Sequence, residues 1–316
     1  KRRIKIRVMS NQEEVPWWIC KAEDKNFCTY VDTDSNYFHA EPLLRHLYPD
    51  FDEMDEGKRD DLLEKMALKY QDLITGYYDT LARNAFNIQE HRLEMKTECT
   101  IRSGFFSGKR RYAQYITKKE GIEVEDIDVK GLDFMKSNFP PLFKKFFNEI
   151  LNKILFGATR NEIDQEILEF KNSLDTLPLE MLGKPTGVKD IKKYIERPPG
   201  AGNIFTTLKT GAPVNVKAAV RYNDFLKFKG LDKQHSQIVQ GDKIKWVYLK
   251  DNPYKIDTMG FLDFDFPEEI RKFIEHYIDR DKAFDSILKN KLESFYKDLD
   301  WGNLTLNTHV NTFFSF

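Results

Sequence analysis

The pattern of hydrophobic and polar positions along the first 90 residues predicts both strands and a long helix. Residues 3–8 alternate between polar and apolar side chains, which predicts a strand. From Phe27 to Phe38, aromatic and β-branched residues flank the acidic centre at 32–35, a pattern typical of two strands joined by a tight turn. Apolar residues then recur at three- and four-residue spacing from Glu56 to about Phe86, which predicts a long helix.

The remaining pattern predicts a hairpin followed by helices. The segment from His91 to Ile116 predicts two strands joined around Gly104 to Gly108. Four helical segments follow: one from Pro140-Pro141 to about Phe156, one capped by Thr159 and ending near Asn172, then 212–228 and 268–297, the last as one or two helices. The predicted fold class is therefore α+β, a small α+β unit followed by a largely helical one, with a boundary near residues 117–135.

Length and composition predict about two globular domains. The chain has 316 residues, of which 41 % are hydrophobic and 14 % aromatic, which is enough for real cores. No stretch approaches the ~20 apolar residues of a membrane helix, and no signal-peptide pattern opens the chain, so we expect neither a membrane nor a secreted protein. The three cysteines lack zinc-type spacing and fit a reducing cytoplasm.

The net charge of −1 conceals a polarised distribution. Residues 187–255 contain 14 Lys and Arg against 6 Asp and Glu, whereas residues 261–316 contain 7 against 11. A basic segment in a neutral protein is a candidate phosphate-binding surface. The alternative is a solvated face without a ligand.

The acidic turn is the first feature with chemical potential. Asp32 and Asp34 lie one residue apart, so their carboxylates can reach the same Mg²⁺, which prefers such hard oxygen ligands together with substrate phosphates. Two such ions can align an attacking hydroxyl and a leaving pyrophosphate. An acidic pair of this kind is also common in solvated turns, but the aromatic flanks here predict a buried hairpin that fixes the carboxylates.

The second feature is the basic run Lys109-Arg110-Arg111, followed by Tyr112. On a strand, Lys109 and Arg111 would face one way and Arg110 the other. Cations interleaved with aromatic residues can neutralise phosphates and reach groove edges of DNA. The alternative is an exposed basic edge strand that prevents aggregation.

Together, the two motifs resemble the C-terminal half of family B DNA polymerases. Tyr30-Val31-Asp32-Thr33-Asp34-Ser35 is similar to the third palm motif, Tyr-Gly-Asp-Thr-Asp-Ser, and 109–112 is similar to the Lys-Lys-Arg-Tyr motif where palm meets thumb. The likeness is greatest to replicative polymerases of tailed bacteriophages and covers about residues 25–316. Weaker local matches follow in order at 131–133 with 136–137, at 220–223 and at 239–244.

The resemblance implies roles for individual residues. Asp34 corresponds to a catalytic metal ligand, Asp32 to the aspartate nearer the primer end, and Thr33 to the residue between them. Glu98 corresponds to an accessory carboxylate. The positions that would contact the primer–template DNA are Lys109, Arg110, Arg111, Tyr112, Lys136 and Ser137. Minor-groove acceptors occur on every correct base pair, so such contacts sense pairing without specifying sequence.

Four departures separate the chain from the family pattern. Val31 stands where the motif has glycine, Asn36 replaces an apolar residue, and Arg110 replaces the second lysine with a different donor geometry. Lys96 stands where related phage enzymes carry aspartate, which weakens the accessory acidic cluster.

The largest departure is the absence of the upstream motifs. The first palm motif, the nucleotide-binding lysine of the fingers and any exonuclease motif have no match in the chain. One carboxylate cluster cannot form a two-metal site alone. We therefore expect a split polymerase subunit that shares its Mg²⁺ site with an N-terminal polymerase chain. The expected domains are palm at 1–125, thumb at 126–303 and a tail at 304–316.

The C-terminal tail resembles the peptide by which replication proteins bind a sliding clamp. Its apolar and aromatic residues could anchor in a pocket of the clamp: Val310, Phe313, Phe314 and Phe316. The alternative is a tail that packs on its own domain. For the whole chain two alternatives stay open: a non-catalytic module that binds DNA and the clamp, and an unrelated protein in which the motifs coincide by chance.

Overall fold

The computed structural model describes residues 28–32, 35–132, 139–200 and 203–306. The strand predicted at residues 3–8 lies outside these ranges. Two compact units are present: the first comprises the described residues up to Arg102 together with Ile116–Asp126, and the second comprises Ser103–Tyr115 and the described residues from Ile127 onward. Both helices and antiparallel strands are present, so the predicted α+β class is confirmed.

The elements follow one another in this order: β1 Cys28–Asp32, β2 Ser35–Phe38, α1 Glu41–Leu47, α2 Glu56–Phe86, β3 Cys99–Gly108, β4 Arg111–Lys119, β5 Ile122–Lys130, α3 Pro141–Leu155, α4 Arg160–Ser173, α5 Leu179–Leu182, β6 Lys184–Gly187, α6 Ile191–Tyr194, β7 Ile195–Arg197, β8 Thr207–Leu208, α7 Val214–Phe228, β9 Lys243–Tyr248, β10 Thr258–Phe261, α8 Glu268–Tyr277, α9 Arg280–Phe284 and α10 Asn290–Asp298. A single π-helical turn, Asp285–Lys289, joins α9 to α10.

Helix α2 is confirmed with the predicted limits because local signals define both ends. The Asp55 side chain accepts a hydrogen bond from the Lys58 N–H at 2.9 Å and caps the N-terminus. Asn87 follows the last turn in the left-handed conformation, with φ of 52°. Within the first unit, Met66 of α2 packs with Leu44 and Phe51 in a small hydrophobic cluster.

The predicted hairpin from His91 to Ile116 is only partly right. Residues 91–98 form no strand, because polar side chains of α2 bind their backbone instead: Gln71 accepts from the Thr97 N–H at 2.7 Å, and Thr75 accepts from the Met95 N–H at 3.2 Å. The pairing partners are β3, β4 and β5, which form a three-stranded sheet in the order β3-β4-β5.

The turn of this hairpin lies at Lys109-Arg110 rather than around Gly104 to Gly108. Gly104 lies inside β3, where a Cβ atom would come within 2.7 Å of the Phe106 ring. The glycine therefore makes room for an aromatic ring on the same strand and does not mark a turn.

The second unit contains the main hydrophobic core. Helices α3 and α4 begin where predicted, and Thr159 forms a capping box with Glu162 at the start of α4. Helix α7 packs against strand β10 in the antiparallel sheet β10-β9-β6, which the hydrophobic pattern did not predict. Among the described residues, no helix is both long and apolar enough to span a membrane.

Candidate functional site

The acidic motif lies on an antiparallel hairpin. Strands β1 and β2 pair with Tyr30 opposite Tyr37, Val31 opposite Asn36 and Asp32 opposite Ser35, so the predicted strand–turn–strand is confirmed. The register shifts between Cys28 and Tyr30. Thr33, Asp34 and the Asp32 side chain lie outside the described part of the chain. The described residues therefore include both strands of the hairpin but neither carboxylate of the motif.

The prediction that this hairpin is buried was wrong. Val31 is 58 % exposed and Phe38 is 49 % exposed. The aromatic contacts that do form are local: the Tyr30 and Tyr37 rings lie 5.7 Å apart, and Phe38 stacks on Tyr70 of α2 at 5.8 Å. A β-branched and aromatic flank is suited to burial, but the described chain does not provide a layer that covers it.

No group of three or more potential metal ligands occurs among the described residues. Glu98, the predicted accessory carboxylate, is exposed and lies just before β3, where its carbonyl accepts a hydrogen bond from the Glu120 N–H at 2.8 Å.

The basic run forms a hairpin turn, so the prediction that its side chains alternate along a strand was wrong. Lys109 and Arg110 occupy the turn itself, and Arg111 begins β4. Arg110 has a φ of 57°, a left-handed conformation that is unusual for a residue with a side chain. Lys109, Arg110 and Arg111 are all exposed. Three cations are thus concentrated at one hairpin tip.

Gly131 packs directly against the backbone of this turn. It follows β5 with a φ of +67°, and a Cβ atom at its position would overlap the carbonyl oxygen of Arg110 and come within 3.3 Å of the Arg111 side chain. Only glycine combines this backbone conformation with such a close approach. Gly131 belongs to a local match of the predicted thumb, but its role at the basic turn was not apparent from the sequence.

Tyr112 is anchored within the sheet by groups from β5. Its side chain is 6 % exposed, and its ring lies 5.6 Å from Phe106 and 5.9 Å from the Lys130 ammonium. The hydrogen bond with the Tyr112 hydroxyl, followed by the charge of Asp128, raises the pKa of Lys130. Asp128 also accepts a hydrogen bond from Gln114 at 3.3 Å. These contacts bury the Tyr112 ring within the sheet, directly after the exposed cations of the basic turn.

Sequence reasoning missed the contribution of β5, although a signal was present. Ile122, Val124, Ile127 and Val129 alternate with acidic residues, apart from one inserted position, which is the same kind of strand signal as at residues 3–8. The structure confirms a strand there, with Lys130 over the Tyr112 ring and Asp128 accepting a hydrogen bond from Gln114.

The later thumb-like match at 220–223 consists of residues with structural contacts. Tyr222 is fully buried, and Arg221 donates a hydrogen bond to the Thr206 carbonyl at 2.8 Å. The Asn223 amide pairs with the backbone of Ile238 through two hydrogen bonds, of 2.8 and 2.7 Å. These residues join α7 to two loops of the second unit.

Several predicted site residues lie outside the described ranges. They are Lys136 and Ser137, predicted to contact primer phosphates, and the tail residues Val310, Phe313, Phe314 and Phe316.

Comparison with known proteins identifies one partial similarity. Over 155 residues the chain is 26 % identical to the DNA-directed DNA polymerase of Escherichia phage RB69. The matched region covers 43 % of this chain and 16 % of that polymerase, so the chain corresponds to only a small part of the relative's length. No protein-family model matches the chain.

Proposed function

We propose that this chain is the palm–thumb subunit of a split DNA-directed DNA polymerase, which performs template-directed nucleotidyl transfer when a partner chain completes it. The observation that supports the proposal is the antiparallel hairpin that carries the acidic motif, in a first unit whose described residues cover it only in part. Its acidic hairpin has only two described strands, with an exposed apolar flank, and its hydrophobic cluster is built on three buried side chains. An isolated two-stranded hairpin is marginally stable at best.

A partner chain would supply what this unit lacks. It would carry the first palm motif and the fingers, and it would cover Val31 and Phe38 on the hairpin. The similarity to a phage DNA polymerase over part of the chain supports the polymerase relationship on which this proposal rests. The cytoplasm of an infected bacterium is the corresponding location.

The residues of this chain would bind the primer–template and the reacting phosphates. Asp34 and Asp32 would hold Mg²⁺ together with carboxylates of the partner, and Mg²⁺ would neutralise phosphate charge in the reaction. The cations at 109–111 would contact the DNA backbone near the primer end. Lys136 and Ser137 would contact phosphates of the primer strand. The C-terminal tail would bind a sliding clamp through Phe313, Phe314 and Phe316.

Reconstituted primer extension tests the proposal. We expect the chain, combined with the chain that carries the first palm motif, to extend a primer in the presence of Mg²⁺, and Asp34→Asn to abolish extension while retaining primer–template binding. Asp50→Asn is the matched control, because Asp50 lies in an exposed turn after α1, and it should extend like the wild type.

Two results would contradict the polymerase assignment. Extension by Asp34→Asn at the wild-type rate would remove Asp34 from catalysis. Duplex binding without extension in the presence of the completing chain would favour the non-catalytic module that binds DNA and the clamp.

The clamp contact has a separate test. Deletion of residues 313–316 should reduce clamp binding and leave distributive synthesis intact. Clamp affinity equal to that of the full chain would refute this part of the proposal.

A further inference from the structure

One apolar stripe on α2 is covered at its start and exposed along the rest of its length. The stripe consists of Met66, Tyr70, Leu73, Tyr77 and Leu81, spaced three or four residues apart and therefore on one face of the helix. Met66 is buried in the small hydrophobic cluster, and Tyr70 stacks on Phe38 of β2.

Beyond Tyr70 the described residues leave the stripe open to solvent. Leu73 is 51 % exposed, Tyr77 is 63 % exposed and Leu81 is 37 % exposed. An adjacent face of the helix is covered, because Gln71, Thr75 and Asp79 bind residues 91–97. A contiguous apolar face that continues beyond its cover indicates a missing packing partner.

We propose that residues 15–19 of the same chain pack on this stripe. The segment Val15-Pro16-Trp17-Trp18-Ile19 is a concentrated apolar run before the hairpin, and it lies outside the described residues. Residues 20–26, which connect it to the hairpin, are mostly polar or charged and suit a solvated linker.

The point where the chain joins the described structure lies beside the stripe. Cys28 begins β1 and pairs with Phe38, whose ring stacks on Tyr70. The eight residues between Ile19 and Cys28 can span up to about 26 Å when extended. The stripe from Tyr70 to Leu81 is only about 16 Å long at 1.5 Å per residue. Residues 15–19 can therefore reach all of it. This inference does not depend on the proposed function.

Photo-crosslinking in the full chain tests the inference. With Tyr77→p-benzoylphenylalanine, we expect irradiation to form an adduct within the monomer between position 77 and the tryptic peptide 8–21, which contains Trp17 and Trp18. Leu68→p-benzoylphenylalanine is the matched control. Leu68 is 45 % exposed on the same helix, and nine residues at about 100° each place it on the opposite side from Tyr77, so it should give no such adduct.

Hydrogen exchange provides a second readout that does not depend on crosslinking chemistry. In the wild-type chain the backbone amide hydrogens of Val15 and of residues 17–19 should be protected from exchange; Pro16 has none. The Leu73→Gln/Tyr77→Gln variant should lose that protection, whereas Leu68→Gln should keep it. Adducts formed only between two copies, no adduct on peptide 8–21, or equal exchange in the wild type and the double variant would each overturn the proposal. The first of these would identify a second copy of the chain as the occupant of the stripe.

Discussion

Gly131 lies against the Arg110 carbonyl so closely that no side chain fits between them. This contact joins the end of β5 to the turn that carries the three cations, and both belong to the second unit. The position of the basic turn therefore depends on a glycine about twenty residues further along the chain.

We expect Gly131→Ala to displace the basic turn and to destabilise the protein by about 3 kcal/mol, because the new methyl group overlaps backbone and the left-handed conformation is itself unfavourable. Duplex binding should weaken in parallel. Thermal unfolding and binding to a fluorescent primer–template measure the two effects.

Gly157→Ala is the matched control for this substitution. Gly157 also has a positive φ, of +85°, but no atom lies within 4 Å of a Cβ at its position. We expect a cost of only about 1 kcal/mol and unchanged DNA affinity. Equal losses of stability and affinity in the two variants would show that the Arg110 contact has no special role.

The triple variant Lys109→Ala/Arg110→Ala/Arg111→Ala should weaken duplex binding and flatten its salt dependence. Each lost phosphate contact lowers the slope of log affinity against log salt by about 1. Binding titrations at several salt concentrations measure this slope. Replacement of the exposed Lys58, Lys65 and Lys69 of α2 removes the same charge and should leave the slope unchanged. An identical slope in both triple variants would place the basic turn outside the DNA path.

Features with a local cause could be predicted from the sequence, whereas those that depend on distant residues could not. The limits of α2 follow from its caps at Asp55 and Asn87, and the start of α4 follows from Thr159. The position of the basic turn depends instead on the Phe106 ring over Gly104 and on the contact with Gly131. An aromatic flank favours burial, but it does not show whether any other part of the structure packs against it, so the exposure of Phe38 was not predictable.

Arg102 lies in the part of β3 that belongs to the first unit. Its guanidinium donates hydrogen bonds to two carboxylates of α2, those of Glu56 and Asp60. Asp60 is only 8 % exposed. If Arg102 is removed, the Asp60 carboxylate therefore keeps its negative charge with little water to solvate it. We expect Arg102→Met to lower the free energy of unfolding by about 3 kcal/mol and Arg102→Met/Asp60→Asn to recover part of the loss. Urea denaturation measures both values.

The matched control for this prediction is Arg45→Met. Arg45 also contacts two carboxylates, Glu41 and Asp52, but its side chain is 54 % exposed. Since exposed ion pairs contribute little, its loss should cost less than about 1 kcal/mol. A comparable cost for both arginines would mean that the burial of Asp60 does not determine the effect.

The carboxylate of Asp265 links two loops of the second unit. Its Oδ1 atom lies 2.6 Å from Nδ1 of His235, and its other oxygen accepts a hydrogen bond from the Ser236 N–H at 2.5 Å. The His235 hydrogen bond, followed by that of Ser236, holds the pKa of Asp265 below its usual value. The folded protein therefore binds fewer protons at this site than the unfolded chain does.

This difference predicts an acid-dependent loss of stability. The contribution of Asp265 is fully present above the unfolded pKa of about 3.9 and is lost as the pH falls through the lower, folded value. Urea denaturation between pH 5.5 and 2.5 measures the free energy of unfolding of the two proteins. At pH 5.5 Asp265→Asn should be less stable than the wild type. This difference in the free energy of unfolding, the stability gap, should narrow steadily below about pH 4. Asp263→Asn is the control, because its carboxylate is 56 % exposed and pairs only with Lys245 among the described residues, so its gap should be small throughout. A gap for Asp265→Asn that is as large at pH 2.5 as at pH 5.5 would show that the geometry of the side chain, rather than its charge, holds the two loops together.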